Sequence, residues 1–309
     1  MPASDDPANV FDLQVNGYAG VDFNGDDLLA ESLHRACERL RADGVGEALA
    51  TVITDRPNAM TRRLARLAEL RAADSLVEQT IVGLHIEGPF ISAAPGYVGA
   101  HPAAAACDAA PGLAERLLEA GQGLVKLVTL APERDASGAV TRLLVDRGVV
   151  VSAGHCDPTL EELRAAIDAG LSMFTHLGNG CPLLMHRHDN IIQRVLSLAD
   201  RLWVMFIADG VHVPLVALKN YLRLVGPERA IIVSDAIAAA GMGPGEYQLA
   251  GQEVVVDDRL ATWAADRSHL IGSACPLRQA VANLTSELGL AAAAVERMVG
   301  ANPRAAIGR

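Results

Sequence analysis

Four short apolar runs in this sequence each end in a side chain able to bind a metal or move a proton. IVGLHIEG carries His85 and Glu87, which strand alternation sends to one side. VVVSAGH ends in His155, SMFTHLGN carries His176 and AIIVSDAI carries Asp235. One carboxylate and two imidazoles, Glu87, His155 and His176, form a three-ligand set for a divalent ion and leave a coordination position for water. Such an ion lowers the pKa of that water and polarises a carbonyl oxygen brought to it. Asp235, beside such a site, suits taking the water's proton and returning it to a leaving nitrogen. Taken singly, each reads as well as a hydrogen-bonded rim residue or a helix cap. Their shared place at strand C-termini is what gives them joint meaning. A further run, FDLQVNG, offers Gln14 and Asn16. Amides bind divalent metal poorly, so this pair argues for one metal rather than two, and it also reads as a tie between backbone groups.

The elements that must deliver these side chains follow from patterning. From Val149 to Asn179 a β-branched run ends in Gly154-His155, and a helix start follows at Asp157-Pro158-Thr159 with Glu161 and Glu162 in its first turn. That helix stops at Gly170, and a second run leads to Thr175-His176. Similar strand-like runs lie at 11–17, 47–54, 81–88, 124–132, 149–155, 172–179, 202–210 and 230–237, with helical spacing between most of them, as from Leu28 to Ala42 and from Pro214 to Val225. Eight strand-helix repeats predict an α/β fold, a (β/α)8 barrel. An open doubly wound sheet is the rival. The barrel is preferred because every polar cluster sits at a strand's C-terminal end, as a closed ring of loops requires. After the eighth run, glycines at 241, 243 and 245 predict a turn, and a β-hairpin is expected near 246–263. The expected organisation is a tail over 1–10 and one barrel domain over 11–309.

With 309 residues, half of them apolar, the chain can bury a large core. No apolar run is long enough to span a bilayer, and MPASDDPANV lacks the basic and apolar regions of a signal peptide. Five scattered cysteines without a CxxC pair read as reduced thiols, so a cytoplasmic location is expected. A net charge of −11 argues against nucleic acid and anionic membrane as partners. A small anionic substrate remains open, because one arginine or helix N-terminus can hold a phosphate.

The motifs DLQVNGYAGVDFN, GLHIEGPFIS, GAHP, SAGHCDPT, THLGNG, ADGVHV and IIVSDAIAAAGMGPGEYQL occur in this order from Phe11 onward. Together they resemble the N-acetylglucosamine-6-phosphate deacetylases of the amidohydrolase superfamily. The resemblance implies metal-dependent hydrolysis of the acetamide of an N-acetyl amino sugar phosphate, with release of acetate. It implies Glu87, His155 and His176 as metal ligands and Asp235 as the catalytic acid and base. It further implies substrate contacts from Ala100 and His101 of GAHP, Asn179 and Gly180 after the sixth run, Arg187 toward the phosphate, His212 toward the phosphate or the sugar, and Ile271 and Gly272 over the sugar. An arginine fork is physically suited to a phosphate dianion in an otherwise acidic protein.

The sequence also departs from the family. THLFNAM or THLYNAM is usual after the second histidine, whereas this chain has Thr175-His176-Leu177-Gly178-Asn179-Gly180-Cys181, expected to open the floor of the pocket. The small β-sandwich that family members build from their two ends is expected to be missing, with a homodimer as the default means of covering the flank. His and carboxylate ligands suit Zn²⁺ and equally Fe²⁺, Co²⁺ or Ni²⁺. Cleavage of another N-acyl or cyclic amide, and sugar-phosphate binding without turnover, stay open as alternatives.

Overall fold

Each of the eight apolar runs becomes a strand. The computed structural model describes residues 10–309, so the expected tail lies, except for Val10, outside the described residues. The strands are β1 (Phe11–Val15), β2 (Glu47–Ile53), β3 (Ile81–Glu87), β4 (Val125–Leu130), β5 (Val150–Ala153), β6 (Met173–Phe174), β7 (Trp203–Ile207) and β8 (Ala230–Val233). They form one eight-stranded parallel sheet in sequential order. Helices return the chain between most of them, for instance Ala30–Ala42, Pro57–Ala73 and Leu215–Val225. This is a (β/α)8 barrel.

The ring closes between β8 and β1 through side chains as well as backbone. Val15 bridges Ala236 in parallel, and Ala236 O accepts from Asn16 N at 2.7 Å. Below that bridge the register of β1 slips between Asp12 and Val15. There the Asp12 carboxylate accepts the Ser234 N–H at 3.2 Å, and Ser234 Oγ donates to Gln14 O at 3.3 Å. Burial, above all, lifts the Asp12 carboxyl to about 7.

Inside the barrel, strand alternation sorts residues into layers. Leu13, Leu49, Leu127, Met173, Met205, Ile207, Ile231 and Val233 pack together in the lower interior. Above them lies a polar layer. Thr129 Oγ1 meets His85 Nε2 at 2.8 Å and Thr175 Oγ1 at 2.8 Å, and Ser152 Oγ meets Thr175 Oγ1 at 2.7 Å. Burial holds the His85 imidazole down at about 4, so it is neutral there. The outward faces of the same strands, such as Leu84, Ile86, Val128 and Phe206, pack under the helices. Burial on both faces is why these strands read as nearly continuous apolar runs.

The helix after β5 illustrates the local signals. Thr159 accepts from Glu162 N at 3.2 Å while Glu162 Oε2 accepts from Thr159 N at 2.7 Å, a reciprocal cap on Leu160–Asp168. Beyond β8, the hairpin expected near 246–263 gains a third strand. β9 (Gly245–Leu249), β10 (Gln252–Val256) and β11 (Thr262–Ala264) form an antiparallel sheet. Its apolar face, Leu249, Val254, Val256 and Ala264, packs on Ile53, Ile237 and Ile271 at the barrel mouth. Among the described residues, no helix is long and apolar enough to cross a membrane.

Candidate active site

At the C-terminal rim the chain turns sharply as each strand ends. His155, His176 and Asp235 all have left-handed backbones, with φ of 51°, 32° and 51°. Non-glycine residues there cost on the order of 1–3 kcal/mol each, so the surrounding packing must hold them. These turns carry the three side chains onto the rim of the barrel, where Glu87 also ends β3.

The Glu87 carboxylate is the centre of the site. Its Oε1 lies 3.0 Å from His176 Nε2 and 3.4 Å from His155 Nε2, and all three groups are buried. Their ligand atoms lie within 4.8 Å of one another. His155 Nδ1 meets the Tyr97 carbonyl at 2.8 Å. A carbonyl can only accept, so Nδ1 carries a proton and Nε2 is the ring nitrogen turned to the cluster. Three donor atoms of the right type, converging, with the His155 ring oriented from behind, fit a divalent cation. Burial alone would raise Glu87, but the hydrogen bonds and charges of His155 and His176 hold it well below the carboxylate norm. His176 is conversely raised: burial opposes its charge, and Glu87 outweighs burial.

Two amides on β1 brace the two acids. Gln14 Nε2 donates to Glu87 Oε1 at 3.0 Å, and Asn16 Nδ2 donates to Asp235 Oδ1 at 2.7 Å. Gln14 and Asn16 thus do more than tie backbone groups. Burial, and then the Glu87 charge, push the Asp235 carboxyl up to about 6, against His176 and the Asn16 bond, which pull it down. A carboxyl poised there exchanges a proton readily near neutral pH.

No family model matches the chain. It is 33% identical to the N-acetylglucosamine-6-phosphate deacetylase of Bacillus subtilis (strain 168), over 82% of this chain and 63% of that protein. It is 31% identical to the N-acetylgalactosamine-6-phosphate deacetylase of Escherichia coli O157:H7, over 96% of this chain and 76% of that one. Its fold superimposes with a TM-score of 0.88 on a mutant Mycobacterium smegmatis N-acetyl-D-glucosamine-6-phosphate deacetylase in complex with N-acetyl-D-glucosamine-6-phosphate, at 32% identity, covering 97% of this chain and 77% of that one. The chain belongs to the N-acetylglucosamine-6-phosphate deacetylase family. It spans from under two thirds (63%) to about three quarters (76%) of the length of these two curated relatives.

Of the substrate contacts expected from the sequence, His101 is buried against the triad. Its Nε2 is 3.2 Å from His155 Nε2 and 3.7 Å from Glu87 Oε2, and burial with the His155 charge lowers the ring to about 3. Asn179 is tied to the triad, its N and Nδ2 both donating to His176 O at 3.0 and 3.3 Å. His212 is held by Asp209, Nδ1 to Oδ2 at 2.6 Å, and does not cap the helix that follows Pro214. Ala100 gives its carbonyl to Gln252 Nε2 at 3.0 Å, and the Ile271 side chain is buried beneath the three-stranded sheet. Gly272 O accepts from Thr262 Oγ1. Arg187 stands exposed on the loop 181–190 and, among the described residues, makes no hydrogen bond or ion pair with the buried cluster. Burial pushes the Cys156 thiol well above its ordinary value, so it is no nucleophile.

The glycines that depart from the family sequence do not open a floor as expected. A Cβ on Gly178 would meet Val213 at 3.0 Å, on the side of the following helix. A Cβ on Gly180 would fall 2.9 Å from His155 Nδ1. Gly180, with φ +59°, lets the loop close directly on the His155 ring, and Gly99 approaches the same ring to within 3.0 Å of where its own Cβ would lie. Sequence reasoning missed Tyr97, whose carbonyl orients His155, because a backbone acceptor leaves no mark in residue type. It also missed Asp209, which the Ile207-Ala208-Asp209 alternation at the end of β7 would have indicated.

Proposed function

We propose that this chain hydrolyses the acetamide of an N-acetyl amino sugar 6-phosphate, N-acetylglucosamine-6-phosphate in the first instance, releasing acetate and the free amine. The observation that carries the reading is the convergence of Glu87, His155 and His176 with Asp235 held beside them, in a chain of this family. Glu87, His155 and His176 would hold one divalent cation, with Zn²⁺ favoured and Fe²⁺, Co²⁺ and Ni²⁺ the alternatives. When bound, that cation supplies a Lewis acid and lowers the pKa of water at the site.

The remaining roles belong to the chain's own side chains. Asp235 accepts the proton of the attacking water, the acetyl carbon becomes tetrahedral, and Asp235 returns the proton to the departing nitrogen. Asn16 fixes the carboxylate oxygen that does not have to move. His101, buried against the same cluster, offers a ring N–H to the developing oxyanion. Asn179, Gly180, Ala100, Ile271 and Gly272 shape the sugar site, with His212 and Arg187 serving the phosphate. The exposed position of Arg187 fits a residue that swings in with substrate or serves a second copy of the chain in a homodimer. The five cysteines are all free, which supports a reducing compartment such as the cytoplasm.

The deciding experiment follows acetate release from N-acetylhexosamines with and without the 6-phosphate, in the parent protein and in Asp235→Asn. The expected result is turnover of the phosphorylated sugar that drops by two to four orders of magnitude in the variant. Equal rates in the two proteins would end the mechanism. Indifference to the phosphate would end the roles given to His212 and Arg187.

A further inference from the structure

Asp209, two residues beyond the end of β7, is a buried carboxylate with four donors converging on it. Its Oδ1 accepts the backbone N–H groups of Val211 and His212 at 2.8 and 2.9 Å. Its Oδ2 accepts His212 Nδ1–H at 2.6 Å and Ser273 Oγ–H at 3.2 Å. Ser273 is itself fastened to the strand that carries the proposed acid and base, its N donating to Asp235 O at 2.9 Å and its O accepting from Ile237 N at 3.0 Å. One carboxylate therefore joins the His212 ring to the segment 271–273 and, through it, to the backbone of Asp235.

We infer that Asp209 is a positioning residue that commits His212 Nδ1 as a donor, so that Nε2 is the ring atom offered to the anionic end of the substrate. A neutral ring that donates from Nδ1 presents a lone pair at Nε2, which a phosphate oxygen repels. The adjoining Asp209 carboxylate favours the imidazolium, the form that donates from Nε2 as well. The surroundings agree: burial opposes charge on His212, but Asp209 outweighs it and raises the ring. Asp209 in turn is brought to about 2, burial being overcome by His212 and by the N–H groups of residues 211 and 212. Asp235 and His176 are the other titratable groups acting on the ring, the first favouring and the second opposing its charge. Ser273 makes the arrangement a coupling, since the same carboxylate fixes the distance between the anion site and Asp235.

The inference rests on the proposed reaction for its kinetic consequence and on the fold alone for its titration, so the two can fail separately. In ring-labelled protein, the His212 NMR titration midpoint is expected to fall by at least one pH unit in Asp209→Asn; an unmoved midpoint overturns the inference, whatever the enzyme does. In steady-state assays Asp209→Asn is expected to raise KM for N-acetylglucosamine-6-phosphate about tenfold or more, with kcat changed less than threefold and little effect on unphosphorylated N-acetylglucosamine. Equal losses on both sugars would make Asp209 merely structural and overturn it. A double variant, Asp209→Asn with His212→Asn, is expected to cost no more than the worse single change; additive losses overturn it as well. If the parent releases no acetate, the proposed function fails and the titration still decides the role of Asp209.

Discussion

Replacing Asn16 by leucine is a direct way to ask whether Asp235 works as a base poised by its neighbours. Asn16 Nδ2 reaches Asp235 Oδ1 at 2.7 Å, a charge-assisted bond, while Asn16 Oδ1 is buried without a partner among the described residues. Leucine has nearly the same shape, so the change removes the donor, removes an unsatisfied acceptor and leaves the packing nearly intact. A hydrogen bond to a charged group is worth roughly 1.5–3 kcal/mol, and it acts on the ionised form of Asp235 alone. At 1.36 kcal/mol per pH unit, losing it raises the Asp235 carboxyl by on the order of one to two units. The base must be ionised to work, so kcat/KM falls tenfold per unit below its pKa. Asp235 stands at about 6, burial being the chief cause, and a cation on the neighbouring triad moves it lower. The acid limb of the parent's kcat/KM profile for acetate release is therefore expected at or below pH 6. In Asn16→Leu that limb is expected one to two units higher, with the two proteins converging toward pH 9. A limb that does not move, or a loss of activity equal at every pH, would refute the reasoning.

Other expectations follow from the same geometry. The proposed cation site is assembled only in the folded state, so Zn²⁺ at a hundredfold over its Kd is expected to stabilise the protein by about 2.7 kcal/mol. That gain, seen as a rise in Tm that a chelator reverses, should vanish in His176→Asn. Thr159→Ala removes one side of the reciprocal cap on Leu160–Asp168 and is expected to cost about 1 kcal/mol in urea unfolding. Asp12 has a folded pKa raised to about 7, mainly by burial, from an ordinary 3.8. The folded state therefore holds its proton more tightly, so its favourable contribution is complete below about pH 3.8 and is lost as the pH rises through 7. Unfolding free energies between pH 4 and 8 should accordingly fall less steeply in Asp12→Asn than in the parent.

Much of this molecule was legible before any coordinates. Eight apolar runs with helical spacing between them led to the barrel, because parallel strands buried on both faces have little room for polar residues except where they end. The same logic marked Glu87, His155, His176 and Asp235, since a polar residue closing an apolar run stands out against it. The reciprocal cap at Thr159 and Glu162 was likewise readable, being a matter of residues three apart. What the sequence could not carry were relations between distant segments. Gln14 meets Glu87 across 73 residues, Asn16 meets Asp235 across 219, and the Asp12 seam depends on Ser234 across 222. Nor could residue type reveal that a Tyr97 carbonyl holds the His155 ring from behind, or that Gly180 turns its bare side to that ring. Residue chemistry and periodicity are local and one-dimensional, and they determined which groups reach the rim. Which of those groups brace one another depends on how the strands are staggered around a closed ring, and that stagger was decided only when the barrel shut.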